Sequence, residues 1–223
     1  VNDTKARILG TSSDLFRRNG YTGTGLKQVA TEARAPFGSI YHFFPGGKQQ
    51  LGEEVIRTSG EEYARLVFSI LDAHPDILEG IEVAFRLAGE TLVTTDYADA
   101  CPIATVALEV ASTNEVLRVA TADVFTSWID SGSALLRSRG FGDADARRLI
   151  LGFVTSLEGA FVLARALRST EPLDAAGATV LAAARACLPH VSEKASPDTL
   201  CYSPAGCDGG HTPKVEEIPA GSS

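Results

Sequence analysis

Apolar positions recur at intervals of three and four along nearly the whole chain. No stretch alternates apolar and polar residues as a half-buried strand would. That rhythm predicts an all-α protein. A first helix is expected from about Thr4 to Asn19, with Ile8, Ser12, Leu15, Phe16 and Asn19 on one face and Ile8, Leu15 and Phe16 as its apolar anchors. Gly20 stands where a helix C-terminal cap belongs. Thr24 is placed to cap a second helix, GLKQVATEA, whose stripe is Leu26, Val29, Ala30 and Ala33. A break follows at Arg34-Ala35-Pro36. Pro36 suits the start of a third, short helix from about Phe37 to Phe44, because the N–H it lacks is not needed there.

That short helix carries Tyr41, His42, Phe43 and Phe44 in a row, more rings than one side of it can bury. Ile40 and Phe44 are four apart and share a face, so they are the pair expected to lock it onto the first two helices. Phe37, Ser39, Tyr41, His42 and Phe43 then point partly or wholly outward. Phe37 and Phe43 have a second reading, as rings covered by the first helix. Helix, short turn, short helix is the geometry that places a second helix in the DNA major groove. Tyr, His and Ser offer hydrogen bonds to phosphates or base edges, and a ring can contact a thymine methyl. Pro45-Gly46-Gly47-Lys48 ends the helix and opens a fourth. Free N–H groups there, with Lys48, are expected to hold a phosphate.

Charge supports this division. The whole chain of 223 residues carries a net −8, which by itself argues against a nucleic-acid partner. Residues 1–51, however, hold seven basic and three acidic side chains, a local +4, which leaves 13 basic against 25 acidic, or −12, for the rest. A basic head on an acidic body suggests two jobs in one chain; chance clustering is the plainer reading of the same numbers.

The stretch from Ile8 to Leu51 resembles the DNA-binding domain of TetR-family transcriptional repressors. The residues that carry the resemblance are Leu15-Phe16, Gly20-Tyr21, Thr24, Val29-Ala30, Gly38, Ile40-Tyr41-His42-Phe43-Phe44 and Lys48. The PGGK turn and the later CPIATVALE, residues 101–109, are similar to the LmrA/YxaF subgroup. The resemblance implies that Thr24, Lys27, Tyr41 and Lys48 sit on the DNA backbone and that Phe37, Ser39 and His42 lie near bases. Arg34 stands where many members have Gly, so it must tolerate or alter the turn, and it can add a phosphate contact. Phe37 replaces a commonly basic residue and Phe43 a commonly polar or tyrosyl one.

Beyond the head, helical periodicity continues. The fourth helix is expected from Gly47 until His74-Pro75, and the next spans about Pro75 to Tyr97 on a stripe of Ile77, Ile81, Phe85, Ala88 and Leu92. A short segment follows Cys101-Pro102. Longer ones run from Asn114 to Arg139, from Asp143 to Arg168, and from Leu173 to Leu188. The expected effector-binding residues are Tyr63, Val67, Phe85, Leu92, Val106, Glu109, Trp128 and Phe161, each of which also reads as plain core. Glu109 is a polar fixture of that pocket or, equally, a surface or interface residue. The indole N–H of Trp128 needs a partner if buried. Leu66 and Phe125 are further apolar candidates for the cavity wall.

The helix over Asp145 to Arg168 has a wide apolar stripe with Gly152, Gly159 and Ala160 on it, small enough for close helix approach. The resemblance implies that it and the alanine-rich last helix form a dimer interface, with Phe153, Leu157, Ala160, Ala164, Leu167 and Leu181 as the expected contacts. The stripe alone reads equally as monomer core. A dimer is favoured because two recognition helices must meet successive major grooves about 34–36 Å apart.

The resulting organisation is a helix-turn-helix DNA-binding domain over residues 1–46, a helical effector-binding and dimerisation domain over 47–191, and a Ser/Pro/Gly-rich tail over 192–223. The expected function is a dimeric repressor of a palindromic operator in double-stranded DNA, released by a small apolar or aromatic effector. Helix four, which joins Lys48 to the pocket through Tyr63, is the expected lever. The alternative is a helical small-molecule binding or sequestering protein whose head no longer reads DNA, given Arg34 and Phe37. No nucleophile elbow, phosphate loop or dinucleotide fingerprint is present, so no enzyme, catalytic residue or cofactor is expected. Cys201, Cys207 and His211 match no common zinc spacing, and no metal is expected. No apolar run suggests a span of about 18–20 residues or a leader, so no membrane partner and a cytoplasmic location are expected.

Overall fold

The computed structural model describes residues 2–99 and 101–188, and these form nine helices with no strand among them. They are α1 Asn2–Asn19, α2 Leu26–Glu32, α3 Phe37–Phe43, α4 Gly47–Ala73, α5 Ile77–Thr94, α6 Pro102–Val110, α7 Glu115–Ser138, α8 Asp143–Leu167 and α9 Glu171–Cys187. The expected tail, with Cys201, Cys207 and His211, lies outside the described residues.

The head is built on the anchors its periodicity named. Ile8, Phe16, Ile40 and Phe44 are all but inaccessible, and Leu15, Val29, Ala30 and Ala33 are buried with them. Burial of side chains this size is worth about 1.5–3 kcal/mol each. Ser12 is also fully buried, whereas Asn19 at the end of the same face is exposed. Gly20 ends α1 at φ +76°, the left-handed conformation that suits glycine, and its N–H donates to Phe16 O at 2.9 Å.

Two local expectations need correction. Thr24 does not cap α2. The cap position falls to Gly25, which makes no side-chain cap bond, and the Thr24 hydroxyl donates instead to Gly20 O at 2.8 Å. Thr24 is 1% exposed, so its side chain is not on the surface expected to face DNA. It ties off the loop that leaves α1.

Arg34 tolerates the turn between α2 and α3. It adopts φ +50°, and the Ala35 N–H donates back across it to Ala30 O at 2.9 Å. This is the capping bond that glycine usually enables. A non-glycine residue there costs about 1–2 kcal/mol, which the packing of Val29 and Ile40 on either side outweighs.

In the body, α4 packs on α5 and α7, while α8 and α9 pack on each other and on α7 and α5 respectively, on stripes close to those expected. Asp76 caps α5 by accepting from Leu78 N at 2.9 Å, and Asn114 caps α7 by accepting from Leu117 N at 3.2 Å. Pro102 opens α6 behind Cys101, whose sulfur accepts from Ala104 N. By length and composition α8 would pass for a membrane-crossing helix, although no single apolar run of that length marks it in the sequence. Its apolar face is instead spent on the protein core, through Leu149, Ile150, Phe153, Leu157, Ala160 and Ala164.

Candidate DNA-reading face, seam and cavity

The outward face of α3 consists of Phe37, Gly38, Tyr41 and His42, with Ser39 and Phe43 half-buried. Phe37 is 43% and Tyr41 50% exposed, and their rings meet edge to face at 5.7 Å. Phe43 packs on the core instead, so it takes the covered reading and Phe37 the outward one. Exposed large rings are costly unless something covers them. Lys27 and Arg34 are exposed nearby in sequence.

At the turn into α4, Gly47 takes φ +65°, which accounts for the glycine there. The amides of this turn are less free than expected. Gly46 N–H donates to Gln50 Oε1 at 2.9 Å and Gly47 N–H to Phe44 O at 2.8 Å, so these two amides are already taken.

Behind this face, the loop from Gly20 to Thr24 is held by the body. The Glu109 carboxylate, on α6, accepts from Tyr21 N at 3.0 Å and Thr22 N at 2.8 Å. Two amides that no helix satisfies thus receive a charged acceptor, among the stronger hydrogen bonds a protein makes. Glu109 is therefore no pocket fixture. It belongs to the seam between head and body.

Gly20 has a second role here. A Cβ on it would lie 1.8 Å from Glu109 Oε1. Lys48 closes the other side, its ammonium 4.5 Å from the centre of the Tyr21 ring and 3.4 Å from Thr22 O. Burial lowers the Lys48 pKa, and the nearby Glu109 charge works against that fall. Asp99, in the α5–α6 connection, lies 3.3 Å from Arg17 and 3.4 Å from Arg18, at the end of α1. Several of the head's positive charges are thus spent on the body.

The same α6 borders a cavity on its other face. Ala104, Ala107, Leu108 and Ala111 form one wall of an apolar groove of about 650 Å³; Phe125 and Ile129 of α7 and Leu151, Val154 and Val162 of α8 form the others. Next to it is a small void of about 20 Å³ beside Tyr63, Val67 and Trp128. Glu158 and Val154 border both spaces. The Trp128 ring lies 5.4 Å from Tyr63 and 5.4 Å from Phe125, and its N–H donates to Gly60 O at 2.9 Å, the partner it needs.

Glu158 is the one ionisable side chain on the groove wall. Burial pushes its pKa up to about 7, although the Cys101 thiol hydrogen-bonds the carboxylate and pulls the other way. Burial likewise raises the Cys101 thiol and the Tyr63 phenol well above their usual values.

Tyr63, Val67 and Trp128 come together at the small void, not on the wall of the larger groove. Phe85, Leu92, Val106 and Phe161 line neither. They are buried core, with Phe85 edge-on to Phe153 at 5.3 Å. Leu66 is exposed, while Phe125 does line the groove. Sequence reasoning missed Glu158 and Cys101. An acid interrupting the apolar stripe of a core helix was the available signal for Glu158.

Of the expected dimer contacts, Phe153, Leu157, Ala160 and Ala164 are turned into the monomer's own core, and Leu181 is half-buried. Only Leu167, 66% exposed, is free for a partner. The outer faces of α8 and α9 carry Leu163 and Leu167, and Ala175, Thr179, Ala182 and Ala186. A Cβ on Gly152 or Gly159 would meet nothing within 4 Å.

Residues 8–55 match the family described as bacterial regulatory proteins of the tetR family, and residues 78–179 match the LmrA/YxaF-like transcriptional regulator C-terminal domain. The HTH-type transcriptional regulator YxaF of Bacillus subtilis is 32% identical over 171 residues, 77% of this chain and 90% of that protein. The regulator LmrA of the same organism is 29% identical over 77% of this chain and 91% of its own. The crystal structure of a TetR regulatory protein from Rhodobacter sphaeroides superposes with a TM-score of 0.71 at 22% identity, over 80% of this chain and 97% of that one.

Proposed function

The chain belongs to the TetR family of DNA-binding transcriptional regulators, with an LmrA/YxaF-like C-terminal domain, and from that membership we propose that it is a ligand-released repressor that grips a palindromic operator as a dimer. On this reading residues 1–46 are the DNA-binding domain and residues 47–191 bind the effector and dimerise. The observation that carries the reading is the exposed Phe37, Tyr41 and His42 face on a short helix whose opposite side, Ile40 and Phe44, is fully buried. Tyr41, with Lys27 and Lys48, takes the phosphate backbone. Phe37, Ser39 and His42 approach base edges. Thr24 acts from beneath by fixing the loop. The outer faces of α8 and α9, lined by Leu163, Leu167 and small residues, supply the dimer contact. A protein acting on the operator works in the cytoplasm.

Release runs through α6 as well as α4. One face of α6 borders the groove and the other holds Tyr21 and Thr22 through Glu109. A ligand that moves α6 outward pulls on the loop that positions α2 and α3. A coupling of about 1–3 kcal/mol, enough for a roughly 5- to 150-fold change in affinity, is the usual scale. The alternative reading, a sequestering protein that has lost DNA binding, rests on Arg34 and Phe37; Arg34 fits its turn, and Phe37 stands on the exposed face of α3.

The test is a gel-shift titration against DNA flanking the protein's own gene and against operators selected from random sequence, with wild type and Tyr41→Ala side by side. Wild type is expected to shift a selected sequence and Tyr41→Ala to lose most of that shift. Failure of the selection to enrich any sequence at low salt would overturn the repressor reading.

A further inference from the structure

We infer that the cavity bordered by α6, α7 and α8 takes a lipophilic organic cation, an ammonium or phosphonium group carried on an apolar body, with Glu158 as its counter-ion. The inference rests on the proposed reading of this cavity as the effector site and names the class of effector.

The walls set the first half of the argument. The groove is lined by alanine, leucine, isoleucine, valine and phenylalanine side chains, with Thr155 and Glu158 as its only polar ones. An apolar body is what such walls favour. The second half is Glu158. An ionised carboxylate in apolar surroundings is costly unless paired, and the described residues give it no cation. Its partner is the thiol of Cys101, at the N-terminal cap of α6. From α4 it faces the Tyr63 phenol. From α7 the neighbouring wall is Phe125, Trp128 and Ile129, without a charge.

A neutral hydrogen-bonding ligand would satisfy the carboxylate as well, but the rings around it select further. Phe125 is the ring on the groove wall with Glu158; Trp128 stands 5.4 Å behind it and Tyr63 5.4 Å further in, both on the small void that Glu158 also borders. Ring faces attract a weakly hydrated cation and give a neutral ligand of the same shape no such advantage. The strongly acidic composition of residues 52–223 also raises the local concentration of cations.

Trp128 is the protein's only tryptophan and borders the void beside Glu158, so its fluorescence reads occupancy without DNA. Full-length protein is titrated with tetraphenylphosphonium and with uncharged triphenylphosphine oxide, at pH 6 and pH 8. A cation needs the ionised carboxylate. With Glu158 titrating at about 7, its affinity is expected to rise about tenfold from pH 6 to pH 8. The oxide, which can only accept a hydrogen bond, is expected to bind more weakly than the cation at pH 8, and its affinity should not rise with pH. Glu158→Gln should bring the two probes to similar affinity and flatten the cation's pH profile; far-ultraviolet circular dichroism confirms that the variant is folded.

The inference is overturned if the oxide binds as tightly as the cation at pH 8, if the cation's affinity is the same at both pH values, or if neither probe binds. The wild-type pH comparison needs no variant and decides even if Glu158→Gln does not fold. Each of these outcomes leaves the operator assay untouched, and a failed operator selection leaves this binding result standing.

Discussion

The seam and the cavity lie on opposite faces of α6, and each is built on one glutamate. Glu109 has both carboxylate oxygens taken by the backbone N–H groups of Tyr21 and Thr22, with Lys48 close by. Glu158 has a thiol and an apolar surround. The first carboxylate is where a negative charge is most useful to the fold, since it satisfies two amides that no helix end serves. The second is where a charge is least welcome. A protein that keeps an uncompensated acid in one place and a fully satisfied one in another is using them for different things. Glu109 belongs to the fold's stability, Glu158 to what enters from outside.

The most severe way to break the seam is Gly20→Ala. It imposes a side chain at φ +76° and drives its Cβ to within 1.8 Å of Glu109 Oε1. The backbone and the lost carboxylate bonds together should cost about 2–4 kcal/mol in denaturant unfolding. Glu109→Ala removes the acceptor alone and leaves two amides unpaired, a cost of about 1–3 kcal/mol. The two changes should not add. In the Glu109→Ala background, Gly20→Ala is expected to cost only its backbone share, and full additivity in that double-mutant cycle would contradict the contact.

The cavity should respond with the opposite sign. The folded-state pKa of Glu158 is raised to about 7, above the usual value of about 4.3 for an unfolded chain. Between these values the native state holds the extra proton, so its stability falls as pH rises through that window. Glu158→Gln removes the penalty. It should stabilise the protein by about 1–2 kcal/mol at pH 8, a figure discounted because the carboxylate borders an open groove, and by little at pH 4. Thermal unfolding at the two pH values checks this; equal shifts would break the contrast between the two glutamates.

The smallest effect is expected at Arg34. Arg34→Gly relieves a left-handed arginine but frees the unfolded chain, so the net change in stability should be within about 1 kcal/mol. Its loss should reduce the log–log salt slope of operator binding by about 1 if the guanidinium meets a phosphate.

These contrasts also mark what could be read from the chain. The nine helices followed from apolar periodicity and from punctuation such as Gly20, Pro36, His74-Pro75 and Gly140-Phe141-Gly142. The α3 face was legible because Ile40 and Phe44 claim one side of a two-turn helix and leave Phe37, Tyr41 and His42 the other. The wide stripe of α8 was ambiguous for a physical reason: Phe153, Leu157, Ala160 and Ala164 would look the same facing a partner or facing α7 and α9. Glu109 was beyond local reasoning because its donors lie 88 and 87 positions away in sequence. Periodicity tells which face of a helix is buried and is silent about what buries it.

The central claim is that the Glu109 seam holds the head in the orientation that reads DNA. Operator affinity, measured by fluorescence anisotropy on a sequence recovered by selection, tests it in wild type and Glu109→Ala over a range of salt. The account predicts that the variant, still folded and in the same oligomeric state, binds at least tenfold more weakly with an unchanged salt slope, since no phosphate contact is lost. Equal affinity of the two proteins at every salt concentration would contradict it.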